Sequence, residues 1–163
     1  MTLVVLALGS NIGDRLGNLR TAVRSLGDSG VSVLNVSSVW ETAPIPADQP
    51  RFLNAVVTGE TNLEPQAVLD LAKRIEHALG RRPTRHWGPR PVDIDILFYG
   101  DQVIASPALT VPHPLIASRA FVLAPLAEVI PGLLPVLGRR ALSLLAGTDS
   151  SGMWRTGKRL KHS

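Results

Sequence analysis

Two aspartates, Asp93 and Asp95, stand in the stretch "WGPRPVDIDILFYG" (residues 87–100), among Val92, Ile94, Ile96 and Leu97. In an extended strand, residues i and i+2 share a face and lie roughly 6.5–7 Å apart, so both carboxylates point one way while Val92, Ile94 and Ile96 point the other. Carboxylates side by side repel unless a cation or hydrogen-bond donors neutralise them. An oxygen-only pair suits Mg²⁺, which takes one or two carboxylates together with substrate phosphates. A solvated acidic face on an edge strand explains the D-x-D spacing equally well by itself.

The neighbouring residues add to the first reading. Lys73, Arg74, Arg81, Arg82, Arg85 and Arg90 fall within one short stretch whose single acid is Glu76. Guanidinium forks grip phosphate oxygens in pairs and stay charged, so an arginine-rich segment complements a polyphosphate. A metal-binding pair beside it describes phosphoryl transfer, where positioning and charge neutralisation supply most of the catalysis. The alternative for the arginines is a solvated basic loop.

Other positions carry less by themselves. His113 in "TVPHP" sits between two prolines with Arg119 downstream, which fits a phosphate contact or a structural histidine. Asn54 interrupts an otherwise apolar run; its amide offers donor and acceptor together to a heterocycle edge, or pairs with backbone in the core. Trp87 is a packed aromatic or a cover for a planar ring, and His77 and His86 have no visible partner. "GSNIG" (residues 9–13) has neither Walker A spacing nor the G-x-S-x-G pattern, so this loop is structural first and a pocket wall second.

These groups need a frame. Residues 3–8 read as a buried strand ending at the turn signal "GSN". Asp14 caps a helix with Leu16, Leu19, Val23 and Leu26 on one face, ending near Gly27. Residues 31–40 are a strand, "ETAPIPADQP" a proline-rich loop, and "FLNAVVTGET" a further strand. Pro65 opens a helix with Val68, Leu71, Ala72, Ile75 and Leu79 as its stripe and Gly80 as its close. "VDIDILFY" is the next strand, and Gly100-Asp101 turns it into "QVIA" as a short hairpin. The order predicts an α+β fold, a ferredoxin-like βαββαβ sandwich with helices on one face, extended by short helices near 119–128 and 139–146.

The bulk numbers agree with one domain over residues 1–148. A chain of 163 residues, 45% hydrophobic, can bury a core unaided, and without cysteine nothing argues for an oxidising compartment. The reading is therefore cytoplasmic. "MTLVVLALGS" is too short for a signal peptide or span, and the apolar region after Phe121 is cut by Pro125, Pro131 and Pro135, so no membrane partner is expected. Arg155, Lys158, Arg159 and Lys161 account for the net charge of +4, leaving 13 basic against 13 acidic groups elsewhere. The body is neutral and its strands lack exposed aromatic runs, which argues against a nucleic-acid partner. Residues 149–163 lack apolar periodicity and read as a disordered basic tail.

Taken together, "ALGSNIGDRLGNL", "ETAPIPADQPRFLNAV", "GRRPTRHWGPRPVDIDILFYG" and "LTVPHPLIASRAFVLAPLAEVIP" resemble the 6-hydroxymethyl-7,8-dihydropterin pyrophosphokinase family of the folate pathway, in order across residues 3–145. The resemblance implies a ferredoxin-like fold and transfer of pyrophosphate from ATP to the pterin hydroxymethyl group, releasing AMP, by a monomer acting on small molecules. It implies Asp93 and Asp95 as ligands of two Mg²⁺ ions, with Arg81 and Arg90 neutralising the transferring group. Lys73, Arg81, Arg85, Trp87, Arg90, Ile96, Thr110, His113 and Arg119 fall at ATP-contacting positions. Thr42, Ala43, Pro44, Ile45, Asn54, Trp87 and Phe121 fall in the pterin pocket. The chain departs from some relatives in a shorter "GRRPTRHW" loop containing Pro83, which leaves open whether Arg82 or Arg85 takes the second phosphate. It also departs in Ala43, which stands where some members have proline, and in the basic tail, which has no counterpart.

Overall fold

In the computed structural model, residues 1–43, 49–80 and 91–160 are described. Their elements run β1 (Thr2–Ser10), α1 (Arg15–Asp28), β2 (Val31–Val36), β3 (Ser38–Thr42), β4 (Phe52–Thr61), α2 (Pro65–Ala78) and β5 (Asp93–Tyr99). A small pair, β6 (Ile104–Ala105) and β7 (Thr110–Val111), follows, then α3 (Ala120–Val129), α4 (Ala141–Leu145) and β8 (Met153–Arg159). One sheet of six strands takes the order β5-β1-β4-β3-β8, with β2 on β4 beside β3, and its pairings are antiparallel.

Local chemistry sets the helix ends. The Asp14 carboxylate accepts from the Gly17 amide at 3.0 Å, satisfying an orphan N–H at the start of α1. A Cβ at Gly17 would lie 2.2 Å from that carboxylate, so the cap needs glycine there. Pro65 occupies the first turn of α2, where its missing N–H costs nothing, and Gly80 past the end takes φ +96°.

The helices cover both sheet faces. Alternation sends Val4, Leu6 and Leu8 of β1 toward α1 and α2, where they pack with Leu19, Leu26, Leu71, Ile75, Ile94 and Ile96. Val5, Val56, Leu97 and Phe98 point the other way, into a second core with Val122, Leu123 and Leu126 of α3 and Ala141 of α4. The expectation of helices on one face is thus corrected: the C-terminal helices close the second face, and this double cover buries β1 and β4 along most of their length.

Three further differences have physical causes. The strand expected over 31–40 is broken at Ser37, yet the break stays bonded, because Ser37 N donates to Val56 O and Ser37 Oγ accepts from Val56 N, each at 2.9 Å. β6 pairs with β7 rather than with β5, so the hairpin closes one strand later than the turn at Gly100 suggested. Met153–Arg159, expected to be disordered, forms β8 on the open edge of β3. Strand addition is satisfied by backbone hydrogen bonds and needs no apolar periodicity.

Candidate active site

β5 is the terminal strand of the sheet path, and Gly9 of β1 lies opposite Asp93, as Ala7 does opposite Asp95. Because Ile94 and Ile96 fill the α1/α2 core, both carboxylates face the α3 side, at the end of β5 preceding Leu97 and Phe98 of the second core. Both are partly exposed. Register then defines a row across the sheet: Asp93 opposite Gly9, Gly9 opposite Asn54, Asn54 opposite Trp40, Trp40 opposite Arg155. Directly opposed residues share a face, so the Asp93 carboxylate and the Asn54 amide look the same way, two strand spacings apart, roughly 10 Å.

Gly9 keeps the floor between them bare. A Cβ there would lie 3.1 Å from Asn54 Oδ1 and 3.6 Å from the Phe52 ring. On the far side, Asn54 Nδ2 donates to Thr42 Oγ1 at 2.9 Å, and both residues are 7% exposed. That bond fixes the orientation of the amide.

The segment after β7 brings cationic and imidazole groups to the carboxylates. His113 N donates to Leu97 O at 3.0 Å, tying the segment to β5, and its Nδ1 accepts from Leu115 N at 3.1 Å. In the neutral ring the proton then sits on Nε2, making it a donor. Burial, and then the Arg119 guanidinium, hold the His113 pKa below its ordinary 6.5, against an opposing pull from Asp93. Arg119, which precedes α3, places Nη1 3.9 Å from Asp95 Oδ2 and its guanidinium 5.5 Å from the Phe121 ring centre. The ion pair is wider than the roughly 2.7–2.9 Å of a tight charge-assisted bond, so Arg119 contributes charge beside Asp95 rather than a close hydrogen bond.

Among the described residues expected from the sequence, Asp93, Asp95, His113 and Arg119 come together at one end and Thr42 and Asn54 at the other, while Phe121 lies beside Arg119. Ala43 follows Thr42 at the end of β3 and is exposed, as is Thr110 in β7. Ile96 is 4% exposed in the α1/α2 core, and Lys73 lies on the solvent side of α2. Pro44, Ile45, Arg81, Arg82, Arg85, Trp87 and Arg90 lie outside the described residues.

Sequence reasoning missed several supporting groups. Glu76 Oε2 accepts from Ile94 N at 2.8 Å, so α2 holds the strand between the two aspartates; being the single acid among the cations beside an apolar stripe was its signal. Glu128 of α3 accepts from Trp40 Nε1 at 2.8 Å and from Ser38 N at 3.1 Å, a link no local pattern reveals. Among the described residues no group of three or more His, Cys, Asp or Glu is placed to hold a metal. An oxygen-only pair such as Asp93 and Asp95 fits a hard cation that takes one or two carboxylates together with water or substrate oxygens, as Mg²⁺ does.

Known proteins resemble this chain in sequence and in fold. Residues 5–131 match the family model described as 7,8-dihydro-6-hydroxymethylpterin-pyrophosphokinase. The chain is 49% identical over 128 residues to the mitochondrial folate synthesis bifunctional protein of Arabidopsis thaliana, covering 78% of this chain and 23% of that one. It is 43% identical over 157 residues to the 2-amino-4-hydroxy-6-hydroxymethyldihydropteridine pyrophosphokinase of Methylorubrum extorquens, covering 95% and 99% of the two chains. The chain thus spans only about a quarter of the plant relatives (23%, 27% and 25% of their lengths) but nearly all of that bacterial one. Among solved structures, wild-type Plasmodium falciparum HPPK-DHPS with SDX-DHP aligns at TM-score 0.69 and 18% identity over 90% of this chain and 43% of that one, a likeness of fold.

Proposed function

Since the chain belongs to the 7,8-dihydro-6-hydroxymethylpterin-pyrophosphokinase family, we propose that it transfers pyrophosphate from ATP to the hydroxymethyl group of 6-hydroxymethyl-7,8-dihydropterin and releases AMP. The observation that carries the reading is the row from Asp93 across Gly9 to Asn54. It sets the Asp93 carboxylate and the Asn54 amide about 10 Å apart on one face with a bare glycine between, which supports a phosphate and metal end beside a heterocycle end. We also read the βαββαβ order, with β2 and β3 acting as one interrupted strand, as ferredoxin-like, and residues 1–148 as its single domain, to whose sheet β8 adds an edge strand.

In this mechanism Asp93 and Asp95 would hold Mg²⁺, two ions in our reading, whose chemistry would be to neutralise phosphate charge and lower the pKa of the pterin hydroxyl. Arg119 neutralises charge beside Asp95, and the Nε2–H of His113 donates to a phosphate oxygen. Asn54, held by Thr42, pairs with the polar edge of the pterin, and Phe121 offers its ring face to the same ligand. Arg81 and Arg90 supply further positive charge to the transferring group as AMP departs.

The test is AMP release from ATP and Mg²⁺ with and without the hydroxymethyl-dihydropterin. Pterin-dependent AMP is expected; ATP turnover that ignores the pterin would replace this reading with transfer to another acceptor.

A further inference from the structure

The family match ends at residue 131, yet the segment after Ser150 reaches the heterocycle end from both sheet faces. β3, the second half of the interrupted strand, pairs with β4 on one edge through Trp40 with Asn54, Glu41 with Leu53 and Thr42 with Phe52. β8 supplies the other side: Thr42 opposes Met153, Glu41 opposes Trp154 and Trp40 opposes Arg155.

Alternation then places successive β8 side chains on opposite faces. On the site face, the Arg155 guanidinium lies 5.4 Å from the Trp40 ring centre, beside Asn54 in the row. On the α1 face, the Trp154 ring lies 4.8 Å from the Arg51 guanidinium. Arg51 immediately precedes β4. Its guanidinium lies 3.7 Å from Glu41, and its carbonyl accepts from Arg15 Nη1 at 2.9 Å. Arg15 also bonds Glu41 at 2.8 Å, so Trp154 caps a charged cluster spanning α1, β3 and the start of β4. At the end of β3, Ala43 N donates to Gly152 O at 2.9 Å, and Thr156 Oγ1 donates to Val39 O at 2.8 Å.

We propose that the C-terminal strand β8, with Trp154 as its chief positioning residue, sets the geometry of the Thr42 and Asn54 pair and thereby the affinity for the pterin substrate; this rests on the reaction proposed above. The contacts touch the strands bearing Thr42 and Asn54 and none of Asp93, Asp95, His113 or Arg119. The effect is therefore confined to the heterocycle.

The experiment compares full-length wild type with Trp154→Ala and Trp154→Phe by amide hydrogen exchange without ligand and by steady-state kinetics. In Trp154→Ala, exchange at Ala43, Leu53 and Asn54 should rise about tenfold or more while Val4 and Ile96 stay unchanged, as for a local opening. KM for the pterin should rise roughly tenfold with KM for ATP within about twofold, and the phenylalanine variant should recover most of both changes. Wild-type exchange at Ala43 and Asn54, or equal rises in both KM values, would overturn the proposal. A wild type that releases no AMP with the pterin overturns the proposed reaction instead, since the exchange data judge the placement independently.

Discussion

The two ends of the site are built in opposite ways. The carboxylate end is ionic and half-open, with Asp95 36% exposed at its side chain and paired loosely with Arg119. The heterocycle end is buried and neutral, with Asn54 and Thr42 bonded at 2.9 Å and backed by β8. On the proposed reaction, the difference follows from what each end would bind. Carboxylates that take a cation and polyphosphate need water access, because a fully desolvated charge is costly to keep ionised. An amide that reads a heterocycle gains from being fixed in advance, because each rotor frozen before binding lowers the entropy lost on binding.

Breaking the ionic end should have the largest effect. Asp95→Asn keeps size and removes charge, so AMP formation should fall on the order of a thousandfold, the scale of losing a charge-stabilising group, while the melting temperature holds. Near-normal turnover would show that the carboxylates are not a functional pair. At the other end, Asn54→Ala removes a fixed amide and should weaken pterin binding about tenfold to a hundredfold by calorimetry, leaving ATP binding unchanged. Equal losses for both ligands would mean that the two ends are not separate.

Two smaller effects sharpen the contrast. Gly9→Ala pushes a methyl against Asn54 Oδ1 and should cost about 1–2 kcal/mol in urea unfolding, with pterin binding weakened and the carboxylate end intact. Glu128→Gln should cost less than about 1 kcal/mol, since the carboxylate is only partly buried. Burial alone would raise the Glu128 pKa, but hydrogen bonds from Ser38 and Trp40, with Arg155 nearby, outweigh it and hold the group below its ordinary 4.5. Its charge therefore stabilises the fold fully above pH 4.5, and that contribution is lost as pH falls through the lowered value. The stability gap between wild type and Glu128→Gln, measured by urea midpoints, should be open at pH 7 and closed in acid.

Several elements were legible because their causes are local. β4 occupies Phe52–Thr61 as its β-branched run predicts, Asp14 caps α1, and Pro65 opens α2. The D-x-D spacing in a strand placed Asp93 and Asp95 on one face whatever the sheet around them. The supporting groups were not legible, because their partners are distant in the chain: Glu128 bonds Trp40 across 88 residues, and Glu76 meets Ile94 from another element.

What the sequence determined by itself is the set of periodicities and end signals: which residues alternate, which helices start at Asp14 and Pro65, and which carboxylates stand side by side. Only the tertiary structure decided that Gly9 lies between Asp93 and Asn54, that α3 closes the second face, and that the basic tail becomes β8. Strand register and edge pairing join backbone groups far apart in the chain through hydrogen bonds that every residue type can make, so side-chain pattern alone does not encode them.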